Sequence, residues 1–106
     1  MPESNGTPLR FSVGLTGLAR EQLRLVGRQG IYNGTIEAVR DAYRQIFSRL
    51  QNNPRELGEP LYELRKMKVQ VRRVGLNPLY VEFGVHNQNP IVIIRHIGWL
   101  ALPETE

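Results

Sequence analysis

The sequence predicts an α+β fold in the order β-α-α-β-β-β, with a helical hairpin packed on one face of a largely antiparallel four-stranded sheet. Three observations predict it. Between Gly58 and Ala101, apolar-patterned runs cover Tyr62 to Val74, Leu79 to His86 and Ile91 to Leu100. They are separated by short turns, one carrying Gly75, Asn77 and Pro78, the other Asn87, Gln88, Asn89 and Pro90. Strands joined by such turns pair antiparallel, because a parallel return needs a crossover of about a dozen residues or more. Upstream, one alternating run precedes two helix-periodic segments, and these must cover the meander.

Residues 1–8 are polar, with two prolines and a glycine, and are expected to be a disordered lead-in. Residues 9–102 form the single expected domain, and 103–106 a short tail. In the first strand Leu9, Phe11, Val13 and Leu15 share one side, opposite Arg10, Ser12 and Gly14, the period of a strand with one buried face. Thr16 suits an N-cap, and Leu18 to Val26 follows with helix formers. Ala19, Leu23 and Val26 stack at helical spacing, and Gly27 and Gly30 are expected to end or loosen this helix before the Asn33-Gly34 turn. The second helix is capped by Thr35. Its stripe of Ile36, Val39, Tyr43, Ile46, Phe47 and Leu50 faces the core, Arg40, Asp41, Arg44 and Arg49 face solvent, and Asn52-Asn53-Pro54 stops it.

Composition narrows the function. A chain of 106 residues with 41% hydrophobic content can build one core without staples. With no cysteine, disulfides, thiolate metal sites and a cysteine nucleophile are excluded. His86 and His96 alone do not make a zinc site, so neither a metal nor another cofactor is expected. No apolar run has membrane-spanning length, and Met1 to Gly6 lacks the charged start and apolar body of a signal peptide, so the expected location is the cytoplasm. The formal net charge is +4. Three of the ten acids (Glu3, Glu104 and Glu106) lie in the tails, so residues 9–102 carry 14 bases against 7 acids. Most of those bases are arginines, which grip phosphates and carboxylates in a bidentate fork, so a polyanion or an acidic protein is a natural partner. A solvated basic surface is the plainer alternative.

On the first meander strand Met67, Val69 and Val71 are expected on one face, with Lys66, Lys68, Gln70 and Arg72 on the other and Arg65 and Arg73 at its ends. Cations on alternate strand positions lie about 7 Å apart, suited to contacting a polyanion or to protecting a sheet edge from aggregation. On the second strand Leu79, Val81, Phe83 and Val85 face the core. Tyr80, Glu82, Gly84 and His86 point away, Tyr80 as a stacking or packing residue and Glu82 as a partner for a neighbouring cation. The third strand is apolar on both faces up to Arg95 and His96, as an interior strand beside Leu9 to Leu15. Arg95 and His96 are expected on opposite sides, His96 with Val92, Ile94 and Gly98. Histidine is the side chain that changes charge near neutral pH, so His96 is a candidate general acid or base and equally a structural hydrogen-bonding residue.

The order of elements, with Leu50-Gln51-Asn52-Asn53-Pro54, Gly58-Glu59-Pro60-Leu61-Tyr62-Glu63-Leu64, Pro78 to Val85 and Pro90 to Trp99, resembles the RelE/ParE superfamily of bacterial toxins from type II toxin–antitoxin, plasmid-stabilisation-like systems. The resemblance runs from about Leu9 to Ala101. It implies a toxin that acts on translation by ribosome-dependent mRNA cleavage, a metal-independent endoribonuclease (an mRNA interferase), held by a cognate antitoxin. On this reading Lys66, Lys68, Arg72 and Arg73 bind RNA or the antitoxin, and Arg73, Tyr80, Arg95 and His96 are the catalytic candidates. Two positions depart from the pattern. Tyr80 stands where the middle strand usually carries an arginine, and Gly98-Trp99-Leu100 stands where a Gly-Lys-Arg-like ending is usual. These departures also suit the gyrase-directed ParE branch, a poison of DNA gyrase, or an inactive relative that serves as a protein-interaction module.

Overall fold

A computed structural model describes residues 10–100. The expected lead-in, Leu9, Ala101 and the tail lie outside the described residues. Strand β1 (Ser12–Leu15) leads into helices α1 (Gly17–Asn33) and α2 (Ile36–Asn52), followed by β2 (Glu59–Leu64), β3 (Val69–Leu76), β4 (Leu79–His86) and β5 (Ile91–Trp99). Short 3₁₀ turns at Pro54–Glu56 and Arg65–Met67 flank β2. The sheet order is β1-β5-β4-β3-β2; β1 runs parallel to β5 and every other pair is antiparallel. Both helices cover one face, and no helix among the described residues is long and apolar enough to cross a membrane.

The sheet has five strands rather than four. The run from Tyr62 to Val74 is two strands, because the chain reverses at Arg65–Lys68 and β2 folds back on β3 with Glu59 opposite Arg73 and Leu64 opposite Val69. The reversal uses Lys68 in the left-handed region (φ 56°), and the Lys68 carbonyl accepts from Asn87 N–H at 2.7 Å. No glycine, asparagine or proline marks this turn, so the hydrophobic pattern reads straight through it.

Helix α1 also exceeds its expected end. Gly27 and Gly30 stay helical, and Gly34 (φ 78°) is the C-cap. A Cβ on Gly30 would lie 3.3 Å from both Ile36 Cα and Val39 Cγ2, so this glycine serves the close approach of α1 to α2. Thr16 caps α1 as expected, its hydroxyl accepting from Ala19 N–H at 3.1 Å. Thr35 makes no such cap; its hydroxyl donates to Asn33 Oδ1 instead. In α2, Val39, Ile46 and Leu50 are buried, Ala42 joins them, and Tyr43 and Phe47 sit at the margin. They meet Leu79, Val81, Phe83 and Val85 of β4 and Val92, Ile94 and Ile97 of β5 in one core.

Register sorts the two faces of the sheet. Arg72 stands opposite core-facing Phe83, and Val74 opposite Val81, so Arg72 points toward the helix side. It is 7% exposed and donates to the Leu57 and Gly58 carbonyls at 2.8 and 3.2 Å and to Gln70 Oε1 at 2.7 Å. The expected basic face of β3 is thereby corrected. Val69, Val71 and Arg73 occupy the outer face, while Lys66 and Lys68 belong to the β2–β3 tip. Interior strand β5 is apolar on both faces, but its burial is one-sided: Val92, Ile94 and Ile97 are buried, whereas Ile91 and Ile93 are 41% and 39% exposed on the outer side.

Candidate functional site on the outer sheet face

Three cross-strand rows define the site on the face opposite the helices. One row is Gly75–Tyr80–Gly98, the next Arg73–Glu82–His96, and the third Val71–Gly84–Ile93. Between the second and third, β5 carries an extra residue. Glu82 pairs with His96 and Phe83 with Ile94, so Arg95 is the bulged residue. The bulge resets the alternation of β5. His96 is therefore not on the face of Val92 and Ile94, and Arg95 and His96 do not mark opposite sides. Both side chains reach the outer face.

There they converge on one carboxylate. Glu82 Oε2 lies 3.8 Å from His96 Nε2 and 4.0 Å from Arg95 Nε. These separations exceed a hydrogen bond, so the carboxylate is attracted but not locked. Glu82 thus has the neighbouring-strand partners that an alternating strand leads one to expect. Its side chain is only 19% exposed, which strengthens the field of the surrounding charges. With Arg73 opposite Glu82 in register and Arg95 beside it, two arginines share this surface with one acid, a local positive excess suited to an anion.

Arg73 completes the cluster through Tyr80. Its guanidinium carbon lies 4.3 Å from the centre of the Tyr80 ring, within cation–π range. The ring lies across Gly98. A Cβ there would fall 2.6 Å from Tyr80 Cε2 and 3.0 Å from its hydroxyl, so the bare strand position is what lets the ring lie down. Tyr80 is consequently occupied as a shelf for Arg73 rather than standing free to stack on a base.

The catalytic candidates Arg73, Tyr80, Arg95 and His96 thus share one surface. The binding candidates do not. Arg73 belongs to that surface, Lys66 and Lys68 are exposed at the β2–β3 tip, and Arg72 is a structural clamp. Gly98 is the contributor that residue chemistry passes over; its signal is a glycine inside an apolar strand run. His86 is structural, its Nδ1 accepting from Gln88 and Asn89 N–H at 3.1 and 3.0 Å and shaping the β4–β5 turn. Trp99 packs at the core margin and donates from Nε1 to Gln29 Oε1. Among the described residues no three His, Asp or Glu side chains gather to hold a metal ion.

The helical side carries shallow grooves of about 460 and 470 Å³, floored by Tyr43, Phe47 and Ile36 and rimmed by Arg24, Arg28, Arg40 and Arg44. Three of those arginines pair with acids one turn away: Arg24 with Glu21, Arg40 with Glu37 and Arg44 with Asp41. The Arg24 guanidinium, bonded to the Glu21 carboxylate, holds that carboxyl below its ordinary value, and Arg24 is raised in return.

No protein-family model and no curated protein matches the sequence. Solved structures do match the fold. The chain superimposes on a structure of the chromosomal ParDE TA system from P. aeruginosa with a TM-score of 0.60 at 18% identity, covering 86% of this chain and 97% of the other. It matches the toxin-antitoxin complex RelBE2 from Mycobacterium tuberculosis with a TM-score of 0.62 at 14% identity, covering 92% of this chain and 99% of the other. Two helices packed on a mixed five-stranded sheet thus give this chain a RelE/ParE-like fold.

Proposed function

We propose that this protein is the toxin of a toxin–antitoxin pair and cleaves single-stranded RNA, as mRNA held on the ribosome, without a metal. The observation that carries the reading is the approach of His96 and Arg95 to Glu82 on the outer face, with Arg73 opposite Glu82 in register. In the proposed reaction one member of the His96–Glu82 pair takes the proton of a ribose 2′-hydroxyl. The freed oxygen attacks the adjacent phosphorus, and the bond to the 5′-oxygen breaks. The other member returns a proton to that leaving oxygen, giving a 2′,3′-cyclic phosphate and a 5′-hydroxyl. Arg73 and Arg95 stabilise the charge that develops on the phosphate oxygens. Arg95 thereby answers the missing middle-strand arginine, and His96 the missing C-terminal cation.

The antitoxin partner is assigned to the helical hairpin. An apolar floor with an arginine rim suits an acidic amphipathic segment, and both structural neighbours are described as toxin–antitoxin systems. Induced expression in a bacterial host tests the whole reading. Growth arrest with mRNA cleaved at ribosomes is expected. Arrest with DNA damage moves the target to gyrase, and unaffected growth removes the toxin assignment.

A further inference from the structure

Beside the charged row lies a slot that the proposed chemistry does not use. It has a volume of about 290 Å³ and is lined by Leu64, Met67, Val69, Ile93 and the stem of Arg95, with Gly84 as its floor and Thr16 at one end. The middle strand offers no side chain here: Gly84 sits between Val71 and Ile93, and Val69 leans over it so closely that a Cβ would lie 2.7 Å from Val69 Cγ1. Met67 and Ile93 remain 62% and 39% exposed on the slot walls, an apolar surface left to solvent.

From these features we infer that the slot is a nucleobase subsite. Resting on the RNA reading above, it receives one unpaired base of the RNA whose phosphate sits on Arg95 and Arg73. Arg95 joins the two halves. Its Cδ lies 4.0 Å from the Cβ position of Gly84, while its Nε faces Glu82. One side chain therefore walls the apolar slot and charges the anion site, about 7 Å away along the strands. A flat apolar body carrying an anionic group at that distance is a nucleotide. Charge favours RNA over a protein side chain, because the slot wall Arg95 also faces the anion site beside Arg73, and the exposed Lys66 and Lys68 are the chain neighbours of the slot residue Met67. Tyr80, the aromatic otherwise available to a base, is covered by Arg73.

The test is a methyl and backbone NMR titration of the full chain at low salt, with a short single-stranded RNA and with the same oligomer made abasic. The Met67 and Ile93 methyl signals are expected to move upfield with the base-bearing RNA alone, by ring current, while Arg73 and Arg95 amides respond to both. Met67→Ser with Ile93→Ser is expected to weaken binding of the base-bearing RNA about tenfold, the worth of one ring's apolar contact, and to leave the abasic oligomer unchanged. Methyl signals that stay still while Arg73 and Arg95 respond overturn the nucleobase assignment alone and give the slot to a protein side chain. Silence at both places overturns the RNA reading with it.

Discussion

Replacing Arg72 separates a structural cation from a binding one. The residue is almost fully buried and holds the Leu57 and Gly58 carbonyls and Gln70 in place, clamping the segment that leads into β2. In Arg72→Met the apolar stem survives and the donors go. The bond to the partly buried Leu57 carbonyl is charge-assisted and worth about 2 kcal/mol. The Gly58 carbonyl is exposed and recovers a water, so it and Gln70 together add about 1 kcal/mol. A loss of about 3 kcal/mol lowers the melting temperature by about 12–24 °C for a domain of this size. That is a large share of the roughly 5–15 kcal/mol such a domain has, yet the variant remains folded in the cold. Urea unfolding followed by circular dichroism measures the loss, and RNA binding at low temperature measures the rest. The exposed neighbour Arg73→Met is expected to behave in the opposite way, losing less than about 1 kcal/mol of stability but several-fold in RNA affinity. A stability change below about 0.5 kcal/mol for Arg72→Met, together with a tenfold drop in RNA affinity, refutes the assignment of Arg72 to structure.

Gly98→Ala pushes the Tyr80 ring off the strand and unstacks Arg73. The expected result is a changed tyrosine band in near-UV circular dichroism and a stability loss of about 1 kcal/mol, with weaker RNA binding that Tyr80→Ala does not worsen further. Leu50→Ala empties a fully buried position at the end of α2 and is expected to cost about 2–5 kcal/mol in urea unfolding. Burial pushes the Tyr43 phenol above its ordinary value, so the folded state prefers the neutral ring. Its contribution is complete below the unfolded tyrosine value and is lost as pH rises through the folded one. Urea midpoints of the wild type are therefore expected to fall more steeply than those of Tyr43→Phe above about pH 10.

Much of the fold can be read from periodicity. The stripe of α2 and the alternation of β4 emerge as expected because each element buries one face and its side chains report that directly. Three errors have distinct physical sources. The Arg65–Lys68 reversal has no turn residue in it, so β2 merges with β3, and Arg72 consequently falls on the wrong face. The Arg95 bulge is invisible to a period of two, which sends His96 to the core side. Gly30 looks like a helix breaker because its reason is the neighbouring helix rather than its own. Of the candidate residues, His96 follows from side-chain chemistry and Arg73, Tyr80 and Arg95 from the resemblance, but their convergence follows from neither. It depends on the bulge and on Gly98, both of which are matters of register between strands.

The most direct test of the central claim is cleavage of ribosome-bound mRNA by the purified protein, with the 3′ ends of the fragments identified. Fragments ending in 2′,3′-cyclic phosphate are expected. Glu82→Gln and His96→Ala should each slow cleavage by about 10²–10⁴-fold, while Lys66→Gln leaves the chemical step intact. Cleavage that continues at the wild-type rate in both Glu82→Gln and His96→Ala contradicts the account, because the outer-face cluster is then not where the chemistry occurs.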